Sequence, residues 1–425
     1  MLKSITKFGD FFEVIIIGGG PAGCAVALKL HQLNPELAKH SIILEKSCHP
    51  REKVCGGALT LHAETILAQL GVNLDVSHAF IRNSRFVYGQ ANINLPEDGV
   101  AKKVIRRDEF DNFLIKQVKN RDFKVAEQTK VIDITTHRDF VAVRTNRGDL
   151  KAKVVVSADG VSAILRKTPG FNPKGRISRL WLIETPVDPA KHPVFQDQVL
   201  HVDFSYVRCG IKGYYWEFPS YINNAPHINQ GLVDSNLKCG TRINGKNLLC
   251  QILRERNVLF QPENIKCHPL RQFDPKDIFA QPRRLLTGDA IGTDPLFSEG
   301  ISQALALGCI AAESITQAFS KNDFTFADYK QKILSSRVGQ ELKTYNFLSK
   351  YIWGFMFEPF LCSLYNDQSL RNLMGYSYGG QTNILKNKTV IAKALIKHLL
   401  LLWPRLKKFR QQTSITTFLL NMPKA

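Results

Sequence analysis

The sequence predicts an α/β protein with a Rossmann-type nucleotide-binding domain on a parallel sheet, discontinuous in sequence, plus an antiparallel-sheet substrate domain and a helical C-terminal region. Three observations carry that prediction. Val14 to Ile17 is a continuous β-branched run leading straight into Gly18-Gly19-Gly20-Pro21-Ala22-Gly23, the pattern of a strand buried on both faces that feeds a helix. Similar short apolar runs return at Ser41 to Leu44, Lys153 to Ser157 and Arg284 to Leu286. Between the last two, residues 176–267 change texture to short alternating strands broken by Pro, Asn and Gly, as in an antiparallel sheet.

In chain order, the run at 14–17 is the expected central strand, Ala22 to Leu33 its helix and Ser41 to Leu44 the second strand, which closes a βαβ unit. A helix is expected around Glu109 to Val118, then strands near Lys130 to Ile134 and Val141 to Arg144. After Arg284 to Leu286, Ser298 to Phe319 reads as a long helix rich in Ala, Ile and Leu, and everything beyond about Phe326 as mainly helical. The nucleotide domain is thus assigned residues 1–75, 101–170 and 275–325, the substrate domain 76–100 and 171–274, and the helical, basic region 326–425.

A chain of 425 residues exceeds one ordinary core. Its 44% hydrophobic and 22% charged content argues against disorder and against a multi-span membrane protein. The formal charge of +20 favours phosphate-bearing partners. Much of the asymmetry is terminal: no Asp or Glu follows Asp367, whereas Arg371, Lys386, Lys388, Lys393, Lys397, Arg405, Lys407, Lys408, Arg410 and Lys424 do. Nine scattered cysteines without a CxxC pair fit a reducing compartment and predict no metal site. The apolar run after Lys3 and Lys7 enters the glycine turn rather than a cleavage site, so no signal peptide is expected and the location predicted is cytoplasmic.

The glycine turn has the mechanics of a pyrophosphate cradle. Gly18 permits the tight turn, Gly20 lets the backbone approach the phosphates, Pro21 and Ala22 open the helix whose N–H groups face the anion, and Gly23 lets helix and strand pack closely. Glu45, with Lys46 beside it, ends the second strand where a carboxylate can accept hydrogen bonds from ribose hydroxyls. In Arg51-Glu52-Lys53-Val54-Cys55-Gly56-Gly57, Arg51 and Lys53 suit the phosphates, and the two glycines suit a loop against a flat ring. Asp159 and Gly160 follow the strand at 153–157. Gly288 and Asp289 follow the strand at 284–286, with Asp289 placed to accept a ribityl hydroxyl. Gly300 and Ile301 begin the long helix, whose N-terminal dipole would aim at the edge of a flavin where negative charge collects.

GGGPAG, Glu45, REKVCGG, Arg107-x-x-Phe110-Asp111, SADGVS and TGDA, in this order, resemble the aromatic-hydroxylase-like flavoproteins over roughly residues 13–320. Within that class, CGG and the YxWxFP pattern at Tyr214, Trp216, Phe218 and Pro219 are similar to the geranylgeranyl reductase family. The resemblance implies an FAD enzyme that saturates carbon–carbon double bonds of a polyprenyl lipid or prenylated precursor, with hydride from flavin N5. It places Arg107 and Val131 at the FAD site, Cys55 beside the isoalloxazine as candidate catalytic residue, and the YxWxFP strand along the lipid. A second GxGxxG is absent, so NADPH visits transiently or a reduced electron carrier serves as donor. A monooxygenase of the hydroxylase type and, more distantly, a flavin-dependent halogenase are the alternatives.

Thr389 to Trp403 is apolar apart from Lys393, Lys397 and His398, and it stops at Pro404 before a basic cluster. It is shorter than the roughly twenty residues a bilayer requires. An interfacial helix on an anionic membrane surface or a helix packed on the protein would each suit it, and nucleic acid is not the expected partner.

Overall fold

The computed structural model describes residues 11–95, 102–235, 244–354 and 356–378. Phe11–Ile17 is central in a sheet whose order is Ala280–Gln281, Arg284–Leu286, Gly148–Ser157, Phe11–Ile17, Ser41–Leu44, Lys124–Ala126. Every junction from Arg284–Leu286 to Lys124–Ala126 is parallel. Val14, Ile15, Ile16, Ile42, Ile43 and Val154 to Val156 are all fully buried. Strands buried on both faces have no solvent side to mark with polar residues, hence the unbroken apolar runs. Val131–Thr136 and Val141–Thr145 attach to the first half of Gly148–Ser157 as an antiparallel arm. The sequence-distant strand Arg284–Leu286 completes the sheet, so this domain is discontinuous as expected.

The second sheet has seven strands, ordered Lys266–Arg271, Ile177–Pro186, Ala225–Asp234, Gly213–Ile222, Val199–Asp203, Asn83–Tyr88, Ala91–Leu95. It is antiparallel except where Val199–Asp203 meets Asn83–Tyr88. Side chains alternate between faces. Tyr214, Trp216 and Phe218 share one apolar cluster with Leu180, Leu200 and Val233. Tyr215 points the other way, into a cluster sealed by Leu249, Ile252 and Leu253 of the helix Gly245–Glu255.

Three local expectations are refined. The helix expected at 109–118 spans Arg107–Lys119, which puts Arg107 on its first turn. The long helix starts at Ile301 rather than Ser298. Ser298 is left-handed (φ 60°), and the Asp294 carboxylate accepts the N–H groups of Leu296 and Phe297, so the chain turns there before it can coil. His78–Ile81 pairs with Lys102–Ile105, which also pairs with Ala58–Leu59, in a small separate three-stranded sheet.

Helices Tyr329–Ser335, Arg337–Ile352, Phe357–Asn366 and Gln368–Tyr378 make the C-terminal region helical. Leu361, Leu364, Leu370 and Met374 pack into the cluster that holds the aromatic face of the second sheet. The segment Thr389 to Trp403 and the cations after it lie outside the described residues. Among the described residues, no helix is long and apolar enough to cross a membrane.

Candidate active site

A cavity of about 450 Å³ lies between the two sheets, within the range typical of small-molecule sites. Its nucleotide-side wall contains Gly18, Gly20, Pro21, Ala22, Glu45, Lys46, Arg51, Lys53, Cys55, Gly56, Gly57, Arg107, Asp159, Gly160, Asp289, Gly300 and Ile301. Tyr214, Trp216 and Phe218 line the opposite side with Leu180, Leu200, Val233 and Leu270. Residues up to about 280 positions apart in sequence are therefore brought together.

Four residues expected at the site are not on the wall. Gly23 lies behind the turn, where a Cβ would sit 1.9 Å from the Gly18 carbonyl oxygen, so its contribution is the close helix–strand approach. Gly288 backs onto Ala22 in the same supporting manner. Val131 is buried at the start of the antiparallel arm. Pro219 shares the face of Tyr215, because strand alternation turns it away from Trp216 and Phe218.

At the glycine turn, Pro21 occupies the first helical position and no side chain caps the helix, so the leading N–H groups remain available to an anion. Glu45 is held by its own sheet end: Oε2 accepts the Gly19 N–H (2.9 Å) and Oε1 the Ser47 N–H (2.8 Å). Each carboxylate oxygen keeps a second lone pair that a ribose hydroxyl could use. The Arg51 guanidinium lies over the turn, 3.5 Å from where a Gly20 Cβ would stand.

Asp111 supplies the electrostatic anchor. This fully buried carboxylate accepts from Arg107 Nε (2.9 Å) and Nη2 (3.1 Å) and pairs with Arg51 Nη2 (3.1 Å). One acid thus aims two arginines at the cavity. Burial opposes the Arg107 charge, but Asp111, together with Cys55 and Asp289, outweighs it and holds the guanidinium pKa above its ordinary value. Lys53 meets Nε2 of His268, another wall residue. Burial lowers the Lys53 pKa, and burial with the nearby Lys53 pushes His268 down to about 4, leaving the imidazole a neutral acceptor.

On the same wall, Asp159 accepts from Ser157 Oγ and from the Ile164 N–H, yet burial raises its pKa. Glu299, which presents part of its surface to the cavity, accepts both the N–H and Oγ of Ser302. Burial pushes its carboxyl up to about 7, and likewise that of buried Asp294. The loop carrying them is tied to the second sheet by Tyr214 Oη, which donates to the Phe297 carbonyl.

Asp111, His268, Glu299 and Asn229 are the polar groups that sequence reasoning left without a role. Asp111 lies four residues after Arg107, the spacing that puts two side chains on one helical face, and that was the available signal. His268 and Asn229 had no local signal, since their partners Lys53 and Cys55 lie 215 and 174 residues away.

Residues 12–203 match the family model described as the FAD binding domain. With the turn, the paired arginines and the two-sheet cavity, this defines an FAD-dependent oxidoreductase. Within that class the chain resembles the geranylgeranyl reductases. It is 24% identical over 325 residues to digeranylgeranylglycerophospholipid reductase of Methanococcus aeolicus, covering 73% of this chain and 78% of that one. A geranylgeranyl bacteriochlorophyll reductase-like structure from Thermoplasma acidophilum aligns with a TM-score of 0.67 at 20% identity, over 95% of this chain and 99% of the other. The chain is also 23% identical over 363 residues to 1H-pyrrole-2-carbonyl-[peptidyl-carrier protein] chlorinase of Pseudomonas fluorescens, covering 75% and 78%.

Proposed function

We propose that this oxidoreductase reduces carbon–carbon double bonds of a polyprenyl, geranylgeranyl-type lipid or precursor. The observation that carries the reading is the wall of Leu180, Leu200, Tyr214, Trp216, Phe218, Val233 and Leu270 in the same cavity as Cys55, Gly56 and Gly57. Seven apolar side chains on one wall gain most by burying hydrocarbon, and Lys102, a cation that shares the cavity with them, is buried and donates to Ser84 Oγ (3.0 Å). Bound FAD, once reduced, supplies a hydride from N5. The chain's own share is to hold the dinucleotide's phosphates with Arg51, Arg107 and Lys53, to receive its hydroxyls at Glu45 and Asp289, and to keep water from the reacting carbons. Glu299 retains a proton up to about pH 7 beside the helix start at Ile301. NADPH or a reduced electron carrier is the donor in this reading.

The test is anaerobic: reduce the protein with dithionite, add geranylgeranyl lipids and weigh the products. A gain of two hydrogens per double bond is expected, and no gain with any prenyl substrate sinks the reading. The similarity to a chlorinase supports a second reading, in which the reduced flavin meets oxygen. Substrate-free NADPH oxidation with stoichiometric peroxide release would favour it.

A further inference from the structure

The two motifs that carry the proposed function touch one another. In the register of the second sheet, Trp216 faces Gly231 and Phe218 faces Asn229. A Cβ on Gly231 would fall 2.6 Å from the Trp216 ring, so the missing side chain is what allows the indole to lie across the neighbouring strand. A Cβ on Gly56 would meet the Phe218 ring at 3.1 Å and Trp216 Nε1 at 3.5 Å, so the Cys55–Gly57 loop rests directly on the aromatic wall.

One side chain bonds to both. Asn229 Oδ1 accepts from Trp216 Nε1 (2.9 Å), and Asn229 Nδ2 donates to the Cys55 carbonyl oxygen (3.0 Å). Chemistry fixes the orientation of the amide: the indole N–H can only donate and the carbonyl can only accept, so each end of the amide has one compatible partner. Asn229 is 4% exposed, which leaves little water to substitute for either bond.

We propose that Asn229 is a positioning residue that locks the Cys55–Gly57 loop to the Trp216 ring and thereby sets the gap between the flavin and the apolar wall. The amide offers an acceptor and a donor on separate atoms, one for each partner. Asp cannot donate to the carbonyl, and Leu satisfies neither partner. The proposal rests on the reading that FAD lies against this loop, and its test separates the two.

The experiment compares wild type with Asn229→Leu, Asn229→Ala, Trp216→Phe and Gly56→Ala. It measures FAD affinity, the visible spectrum of bound FAD and the melting temperature of the FAD-free protein. Loss of two hydrogen bonds that aim the loop should weaken FAD binding roughly tenfold in either Asn229 variant and change the flavin band. Trp216→Phe, which breaks one of the two bonds, should shift the band in the same direction by less. Adding it to Asn229→Leu should cause little further change. Asn229→Ala leaves room for water and covers the case in which the Leu variant does not fold. A lower melting temperature with unaltered affinity and flavin band overturns the proposal, since a merely structural role predicts that result. If Gly56→Ala shifts the band and the Asn229 variants do not, the Asn229 assignment fails alone. If Gly56→Ala is silent as well, the placement of the flavin against this loop fails, and the proposal with it.

Discussion

Glu299→Gln should make the FAD-free protein more stable at high pH while leaving it nearly unchanged at pH 5. The folded carboxyl titrates at about 7 against an ordinary 4.5, because burial penalises its charge. Between those values the folded state keeps a proton that the unfolded chain has released. Stability therefore falls as pH rises, is fully present below about 4.5 and is lost by about 7. The gap of about 2.5 between the two pKa values corresponds to about 3 kcal/mol. Gln keeps the acceptor for the Ser302 N–H and Oγ but carries no charge at any pH. Asp294 titrates in the same range and Glu341 stands nearby, also raised by burial, so the comparison must be made between variant and wild type rather than from one curve. Urea unfolding at pH 5, 6, 7 and 8 gives both curves. The variant should gain about 3 kcal/mol relative to wild type across that series. Parallel curves, separated by a constant, would show that Glu299 ionises freely in the fold and would refute the reasoning.

Asp111→Asn should cost about 3 to 5 kcal/mol, because two partly buried guanidinium groups lose their shared carboxylate; a urea midpoint equivalent to under about 1 kcal/mol would mean that water already solvates them. Gly23→Ala places a methyl 1.9 Å from the Gly18 oxygen, so the helix must retreat from the turn and purified protein should lose its flavin; an unchanged FAD affinity would contradict the cradle geometry. A membrane role for the basic tail predicts that a chain ending at Tyr378 loses binding to anionic liposomes while keeping FAD. The cut belongs there rather than after Asp367, since Leu370 and Met374 pack into the core. Equal binding by the truncated and full chains would refute the role.

The glycine turn, the buried strands and the discontinuous return at Arg284 were legible in the sequence because each depends on local constraints: backbone approach, two-sided burial and helix start. The aromatic face of Gly213–Ile222 was legible from alternation, yet that pattern does not say which face meets the cavity. The boundary at Ser298 was missed because a left-handed residue other than glycine has no sequence mark. Asp111 and Asn229 escaped assignment for another reason. An Asp or Asn that serves two partners looks the same in sequence as one that serves none, and only the fold brings Arg51 or Cys55 to it.

The late arrival of Arg284–Leu286 has a consequence for synthesis. The ribosome makes the glycine turn first, yet the strand that flanks Gly148–Ser157 and the helix Ile301–Lys321 that covers Pro21–Leu33 emerge only after the whole second sheet. A nascent chain of 280 residues therefore exposes the apolar helix Pro21–Leu33 with its main packing partner still unmade. The cavity wall that includes Asp289, Gly300 and Ile301 is accordingly completed late, and until then chaperones have a defined surface to guard.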